Sequence, residues 1–232
     1  MIVFSGPFGP TDASVLGPHS MFDIESVTIT QPATPGSDWS VKILTNYGAD
    51  LSGVTGSIPG FVDDGVTLLP ADLLIQSAAI YYGVILHSHD GYTAGDLYQA
   101  AGFQTAQNAI NDPSVQLADY HSTDPVWLAG GGTLDGTGTI SASHHGDGTT
   151  SAEYEIDLNF SAPAGFLTAG DFTLTMSSAD CANGFLQGTG TFGGGSTGGG
   201  EVPESGTAAM LIGGGLVVLR RAISASNCWR RR

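Results

Sequence analysis

Hydrophobic and polar residues alternate along several short stretches of this chain, and this period of two is typical of half-buried β-strands. The longest such stretch covers residues 152–160, where Tyr154, Ile156 and Leu158 alternate with acidic and amide side chains. Because successive side chains of a strand point to opposite faces, this strand is predicted to have one face in a core and one in water. Further strands are predicted over residues 26–30, 39–43, 73–76, 79–87, 138–143, 172–176 and 185–191.

Turn-forming residues separate these strands, including Asp63-Asp64-Gly65 and Asp90-Gly91. Residues 138–160 are predicted to form a hairpin. Residues 94–111 could form a short helix, but two glycines and the spacing of the apolar residues argue against it, so we expect strands or loop there. About eight short strands without intervening helices indicate an all-β fold, and we predict an antiparallel β-sandwich of the jelly-roll-like type.

The composition changes after Phe192 to a run of glycine, serine and threonine, which is typical of a flexible spacer that does not pack. The folded domain is therefore expected to end before it. The predicted organisation is an irregular N-terminal segment 1–22, a β-sandwich 23–192, a linker 193–201, a C-terminal signal 202–221 and a basic tail 222–232.

Charge is distributed unevenly along the 232 residues, whose formal net charge is −16. All 22 acidic residues precede Arg220, whereas Lys42 is the only basic residue in that part of the chain. A domain with one lysine and no arginine does not neutralise phosphates, so the composition excludes nucleic acid as a partner. Its field attracts cations instead.

Two cysteines, Cys181 and Cys228, do not provide the disulfide framework that small secreted domains use. Cys181 is most simply interpreted as a small buried apolar residue. The first residues contain no basic segment followed by an apolar one, so no secretory signal is visible. Either the protein is cytoplasmic or the chain starts late.

Residues 207–219 are uncharged and mostly apolar, and Arg220 and Arg221 follow directly. As a helix this segment would be about 20 Å long, shorter than a comfortable bilayer span. A buried helix is the alternative, but three consecutive glycines make a poor soluble helix and are better tolerated in lipid. We therefore predict a short hydrophobic helix that enters a membrane, with the two arginines stopping on the cytoplasmic side and the acidic domain outside.

Near its end the chain contains Val202-Pro203-Glu204, then a glycine-rich apolar stretch, then Arg220 and Arg221. These three parts resemble the PEP-CTERM sorting signal in content and in order. The resemblance covers about 20 residues, and it departs from the family pattern in two places. Ser205 stands where a second proline is usual, and the chain continues beyond Arg221. The resemblance implies export, recognition and cleavage by an exosortase, and a surface or extracellular location among exopolysaccharide or biofilm components.

His87, His89 and Asp90 form the most specific chemical motif in the domain. On a strand, His87 and His89 would point to one face and could chelate one metal ion. A third ligand could come from residues Asp96, His121, His144 or His145. The motif lacks the glutamate or aspartate spacing of known two-histidine metal sites, and exposed histidines before an Asp-Gly turn are the simpler interpretation.

Three other chemistries have weaker signals. Acidic turns such as Asp63-Asp64 could bind a structural Ca²⁺ ion, although no complete calcium-binding loop motif is present. The residues Glu153, Glu155 and Asp157 share one strand face, as paired glycosidase carboxylates could, but solvent-facing charge is the ordinary explanation. Residues 194–198 fit a nucleophile elbow only formally, because they lie in the linker. Aromatic residues that could stack on sugars are Trp39, Tyr92 and Trp127, although one aromatic residue per strand is more often part of the core.

These observations favour an exported, non-enzymatic surface or matrix protein that could bind glycans. No cofactor is expected, although the acidic turns could hold a structural Ca²⁺ ion. Its expected partners are an exosortase, exopolysaccharide or surface proteins, and the membrane through its C-terminal helix before cleavage. A secreted metal-dependent enzyme that uses His87 and His89 is the alternative. A cytosolic protein with a chance apolar tail is the third hypothesis.

Overall fold

The computed structural model describes residues 1–5, 24–63, 66–109, 115–117, 123–145, 154–167, 170–180, 182, 184–192 and 229–231. Their secondary structure is almost entirely β. In chain order the elements are β1 (Ile2–Ser5), β2 (Ile24–Thr30), β3 (Trp39–Thr45), β4 (Phe61–Asp63), β5 (Val66–Leu68), β6 (Leu73–Ser77), β7 (Ile80–Val84), β8 (Leu97–Ala100), β9 (Phe103–Thr105), α1 (Ala106–Ala109), β10 (Val115–Leu117), β11 (Pro125–Leu128), β12 (Thr133–Gly136), β13 (Gly138–His144), β14 (Tyr154–Phe160), β15 (Asp171–Ser177), β16 (Phe185–Thr191) and β17 (Trp229–Arg231).

The first main sheet contains five antiparallel strands in the order β1-β2-β3-β14-β13. Its central strands are β3 and β14, which pair Val41 with Leu158 and Ile43 with Ile156. These four side chains are buried, whereas Lys42 between them on β3 is exposed. The alternation in the sequence therefore corresponds to an inner apolar face and an outer polar face.

The second main sheet contains six antiparallel strands in the order β12-β8-β7-β6-β15-β16. Leu174 of β15 pairs with Ile75 of β6, and both side chains face the first sheet in one continuous core. Aromatic rings close this core at one end, where Trp39 contacts Phe166 and Phe192 edge to face at 5.0 and 5.2 Å between ring centroids. The two sheets thus pack together around a core of aliphatic and aromatic side chains.

A short antiparallel pair, β9 and β11, covers part of the outer face of the second sheet. Side chains from β6, β8 and β11 and from the loop after β7 form a second apolar cluster there, separate from the main core. Its buried members are Leu74, Ile85, Tyr92, Tyr98 and Leu128. The loop that carries His87 and His89 contributes Ile85 and Tyr92 to this cluster.

The structure confirms the prediction of an all-β fold with two packed antiparallel sheets. The predicted 138–160 hairpin is observed as the antiparallel pair β13 and β14. Two expectations need correction. Residues 2–5, expected to be irregular, form β1 against β2, and the strand predicted over 79–87 ends at Val84.

Residues 94–111, expected to be strands or loop, contain β8, β9 and the single turn α1 within the part that is described. The predicted C-terminal hydrophobic helix and the linker before it lie outside the described residues. In the described part of the chain, no helix has the length and hydropathy needed to span a bilayer.

Candidate functional site

The loop after β7 carries the histidine motif, and its own backbone hydrogen bonds close it. The amide of Ile85 donates to the carbonyl of Asp96 at 3.1 Å, and the amide of Gly95 donates to the carbonyl of Ile85 at 2.7 Å. At its tip Asp90 and Gly91 adopt positive φ angles of 47° and 85°, which an Asp-Gly pair tolerates. The predicted Asp-Gly turn is therefore present, but the histidines lie in this loop and not on a strand.

His87 is bound to the neighbouring loop before β4. Its Nδ1 donates to the carbonyl oxygen of Ile58 at 2.7 Å, and the amide of Ile58 donates to the carbonyl of Leu86 at 2.9 Å. The hydroxyl of Ser57 lies 3.4 Å from the same Nδ1 atom. His87 therefore helps to hold two loops together.

His89 is bound to the core through Asp72. Its Nε2 lies 3.0 and 3.2 Å from the two carboxylate oxygens of Asp72, so Nε2 carries the donated proton. The His89 side chain is 5% exposed and that of Asp72 is 0% exposed. Asp72 also accepts the amide hydrogen of Leu128 at 2.9 Å. One buried carboxylate thus joins the start of β6, the histidine loop and β11.

The indole of Trp127 stacks on the imidazole of His89, with 4.4 Å between ring centroids and 18° between ring planes. The ring of Tyr92 meets the same imidazole edge to face at 5.6 Å. Because the Asp72 carboxylate and two aromatic rings contact the imidazole from different sides, His89 is held in one orientation. We call Asp72, His89 and Trp127 the buried histidine cluster.

Burial opposes a charge on the His89 ring, but the hydrogen bond and the negative charge of Asp72 outweigh it and raise the pKa of His89 above its ordinary value. Burial also raises the pKa of the Asp72 carboxyl, against the hydrogen bonds that it accepts. The Nδ1 atom of His89 is buried without a hydrogen-bond partner. Asp90 Oδ2 lies 3.5 Å away, which is too long for a hydrogen bond but allows an electrostatic contact.

His87 and His89 each use one ring nitrogen on a protein oxygen, and metal-bound histidines also have this feature. Within the described ranges, however, no three His, Cys, Asp or Glu side chains are grouped so that they could hold a metal ion. The candidate third ligands have other contacts. Asp96 accepts the amide of Gly138 at 2.8 Å, His144 packs against Tyr154, and His145 contacts Glu155. His121 lies outside the described residues.

The carboxylates of β14 form an ion-pair network on the outer face of the first sheet. Glu155 contacts Lys42 Nζ at 2.7 Å through one oxygen and His145 Nδ1 at 3.3 Å through the other. The hydrogen bond to Glu155 raises the pKa of Lys42, and burial with the nearby Glu155 charge raises the pKa of Asp157. Glu153 lies outside the described residues. Because Lys42 is 48% exposed, this network contributes little to stability.

The aromatic residues proposed for sugar stacking are in the interior. Trp39, Trp127 and Tyr92 are only 5%, 7% and 5% exposed, so their interpretation as core residues is confirmed and they are not available to stack on sugars. Partly exposed rings occur instead at Tyr81 and Phe103, which meet edge to face at 5.1 Å on the outside of the second sheet. The sequence could have indicated an outward-facing tyrosine here. Tyr81 and Tyr82 are adjacent on a strand, and neighbouring residues of a strand face opposite sides.

Several predicted residues fall outside the described part of the chain. They are Asp64 of the acidic turn, Cys181, residues 194–198, and the signal residues Val202, Pro203, Glu204, Arg220 and Arg221. Asp63 lies at the end of β4, and its side chain is not described. The calcium, elbow and sorting predictions therefore remain predictions.

The described residues define an all-β protein of two packed antiparallel sheets with a buried histidine cluster under a third layer. Comparison with protein-family models, with curated proteins and with solved structures gives no significant match. Function must therefore be argued from this chain's own residues.

Proposed function

We propose that this protein is an exported, non-enzymatic component of the cell surface or extracellular matrix, sorted by its C-terminal segment. The observation that carries this proposal is the order of Val202-Pro203-Glu204, the apolar stretch 207–219 and Arg220-Arg221, placed after a flexible spacer at the chain end. Each part is common alone, but the three parts in this order resemble a sorting signal. By its resemblance to the PEP-CTERM signal, the processing enzyme is an exosortase.

The folded domain is compatible with this location. The chain before Arg220 has 22 acidic residues and one lysine, which favours solubility and repels other anionic chains. For the finer fold class we propose a jelly-roll-like sandwich. The path of the chain, which passes from one sheet to the other and back, supports this class. After leaving the first sheet at β3, the chain returns to place β14 beside β3 and β15 beside β6.

The position of β17 bears on the sorting proposal. Its backbone pairs with β10, so that Gln116 lies opposite Arg230. A chain that crosses a membrane through residues 207–219 cannot keep this pair with an external domain. In the exported form that we propose, β17 therefore separates from β10, and we expect exosortase cleavage to remove β17.

Fractionation of cells that express the full chain, followed by immunoblotting, tests the proposal. Wild-type protein is expected in the surface fraction, shortened by its C-terminal segment. The double variant Pro203→Ala/Glu204→Ala is expected to remain unprocessed in the membrane fraction. The matched control Glu201→Ala removes a neighbouring acid and is expected to be processed normally. Equal processing of the two variants would contradict the role of the motif.

The alternative is a secreted metal-dependent enzyme. It is supported by the contacts of the two imidazole rings. His87 and His89 each use one ring nitrogen in a hydrogen bond to a protein oxygen, which leaves the second ring nitrogen for a metal ion. Metal analysis of the purified protein decides between the two. Stoichiometric metal that disappears in His87→Ala/His89→Ala supports the enzyme, whereas metal-free protein or unchanged metal in that variant removes it.

A further inference from the structure

The outer face of the second sheet carries a row of neutral side chains that crosses four strands. Thr189 of β16 lies opposite Thr173 of β15, Thr173 opposite Gln76 of β6, and Gln76 opposite Tyr81 of β7. Their chain neighbours Leu174, Ile75 and Tyr82 belong to the main core, so the four side chains point away from it. We call these four residues the polar row.

The polar row is accessible and ordered. Thr189 is exposed, and the other three residues are partly exposed. Adjacent strands lie about 4.8 Å apart, so the row is about 14 Å long from Tyr81 to Thr189. Because all four residues are fixed in paired strands, a ligand would meet a preorganised surface.

One end of the row is bounded by the β9–β11 layer. There the Tyr81 ring meets Phe103 edge to face at 5.1 Å and 86°, which fixes the orientation of the tyrosine. The next residues of the same face along β15 and β16 are Thr175 and Gln187, and Gln187 Nε2 donates to Thr175 Oγ1 at 3.0 Å. A partly exposed aromatic ring beside amide and hydroxyl groups combines an apolar surface with hydrogen-bond donors and acceptors.

The charge of the row and of the whole domain restricts the ligand. The row contains no acid and no basic group, and the domain is strongly acidic. Phosphate-containing or carboxylate-containing chains would be repelled, whereas an uncharged polyhydroxylated chain would not. From these observations we propose that the polar row binds a neutral polysaccharide, with a sugar ring on Tyr81 and sugar hydroxyls on Gln76, Thr173 and Thr189. This inference rests on the proposed function, because it assumes that the domain meets surface glycans.

Affinity electrophoresis of the purified full chain tests the inference. The gels contain dextran or hydroxyethylcellulose as neutral probes, and alginate as the anionic probe. Wild-type protein is expected to be retarded by at least one neutral probe and not by alginate, with no effect of EDTA and little effect of salt. Tyr81→Ala, and separately Thr173→Val/Thr189→Val, are expected to raise Kd about tenfold.

A matched variant controls for indirect effects. Thr139→Val removes an exposed threonine hydroxyl from the outer face of the other sheet, so it is expected to bind like wild type. Thermal unfolding verifies that every variant is folded, and the threonine variant serves if Tyr81→Ala is unstable.

Unchanged affinity in Thr173→Val/Thr189→Val, or no retardation of wild type by either neutral probe, would overturn the inference. Surface sorting is measured separately in cells. A protein that is sorted but binds neither neutral probe contradicts the polar row alone, whereas a protein that binds but stays in the cytoplasm contradicts the proposed function alone.

Discussion

Replacing His89 with alanine tests the structural role of the buried histidine cluster. The change removes the hydrogen-bond partner of Asp72, whose side chain is 0% exposed, and the ring that stacks on Trp127. Removing one partner of a buried ion pair costs about 3–5 kcal/mol, because the other charge stays buried. In a domain of this size each kcal/mol lowers Tm by about 2–4 °C, so His89→Ala is expected to lower Tm by roughly 6–20 °C.

Urea unfolding followed by tryptophan fluorescence measures the change in free energy of unfolding. His144→Ala is the matched control, because His144 is exposed at the end of β13 and its loss is expected to cost about 0.5 kcal/mol or less. The double variant Asp72→Ala/His89→Ala closes a thermodynamic cycle, in which we expect a coupling energy of about 1.5–3 kcal/mol. A loss below about 1 kcal/mol in His89→Ala, or additive single changes, would refute this reasoning.

Three further predictions concern pH, packing and the tail. Because the pKa of His89 is raised in the folded state, its contribution to stability is full below pH about 6.5 and decreases as pH rises through the folded-state pKa. Urea midpoints at pH 6 and pH 8.5 should show this decrease in stability, and the decrease should be smaller in His89→Ala. Gly136→Ala would place a Cβ atom 1.9 Å from the Ser161 carbonyl oxygen, so calorimetry should show a Tm lowered by several degrees, whereas Gly102→Ala, with open space, should change Tm little. Truncation after Phe192 removes only β17 from the described sheets, so Tm should change by about 2 °C or less; a larger loss would show that β17 supports the domain.

The sequence predicted the long regular strands well, because their alternation reflects directly which face is buried. The residues of β16 were predicted with the same bounds, and those of β3 and β15 nearly so. All three strands have seven residues, which is enough to show a period of two, and β3 and β15 place alternate side chains in one core.

The short strands could not be predicted in this way. β9, β11 and β12 have three or four residues, and the pairs of β11 and β12 contain register shifts, at Pro125/Trp127 and Leu134/Gly136. A bulge interrupts the alternation on which the prediction depends. β1 has only four residues, too few to show a period.

The histidine motif shows the corresponding limit for a site. The sequence drew attention to His87 and His89 but did not indicate their partners. Asp72 is 17 residues before His89, and Trp127 belongs to a strand of a different layer. Only the three-dimensional arrangement brings the three side chains of the cluster together, and it also separates the buried aromatics from Tyr81 at the surface.

The measurement that tests the central claim most directly is mass spectrometry of the protein from its source cells, after separation of cytoplasm, membrane and surface material. We predict a surface species that ends near Pro203 and Glu204 and lacks Arg220 and the residues after it. An intact cytoplasmic chain that ends at Arg232 would contradict the sorting of this protein.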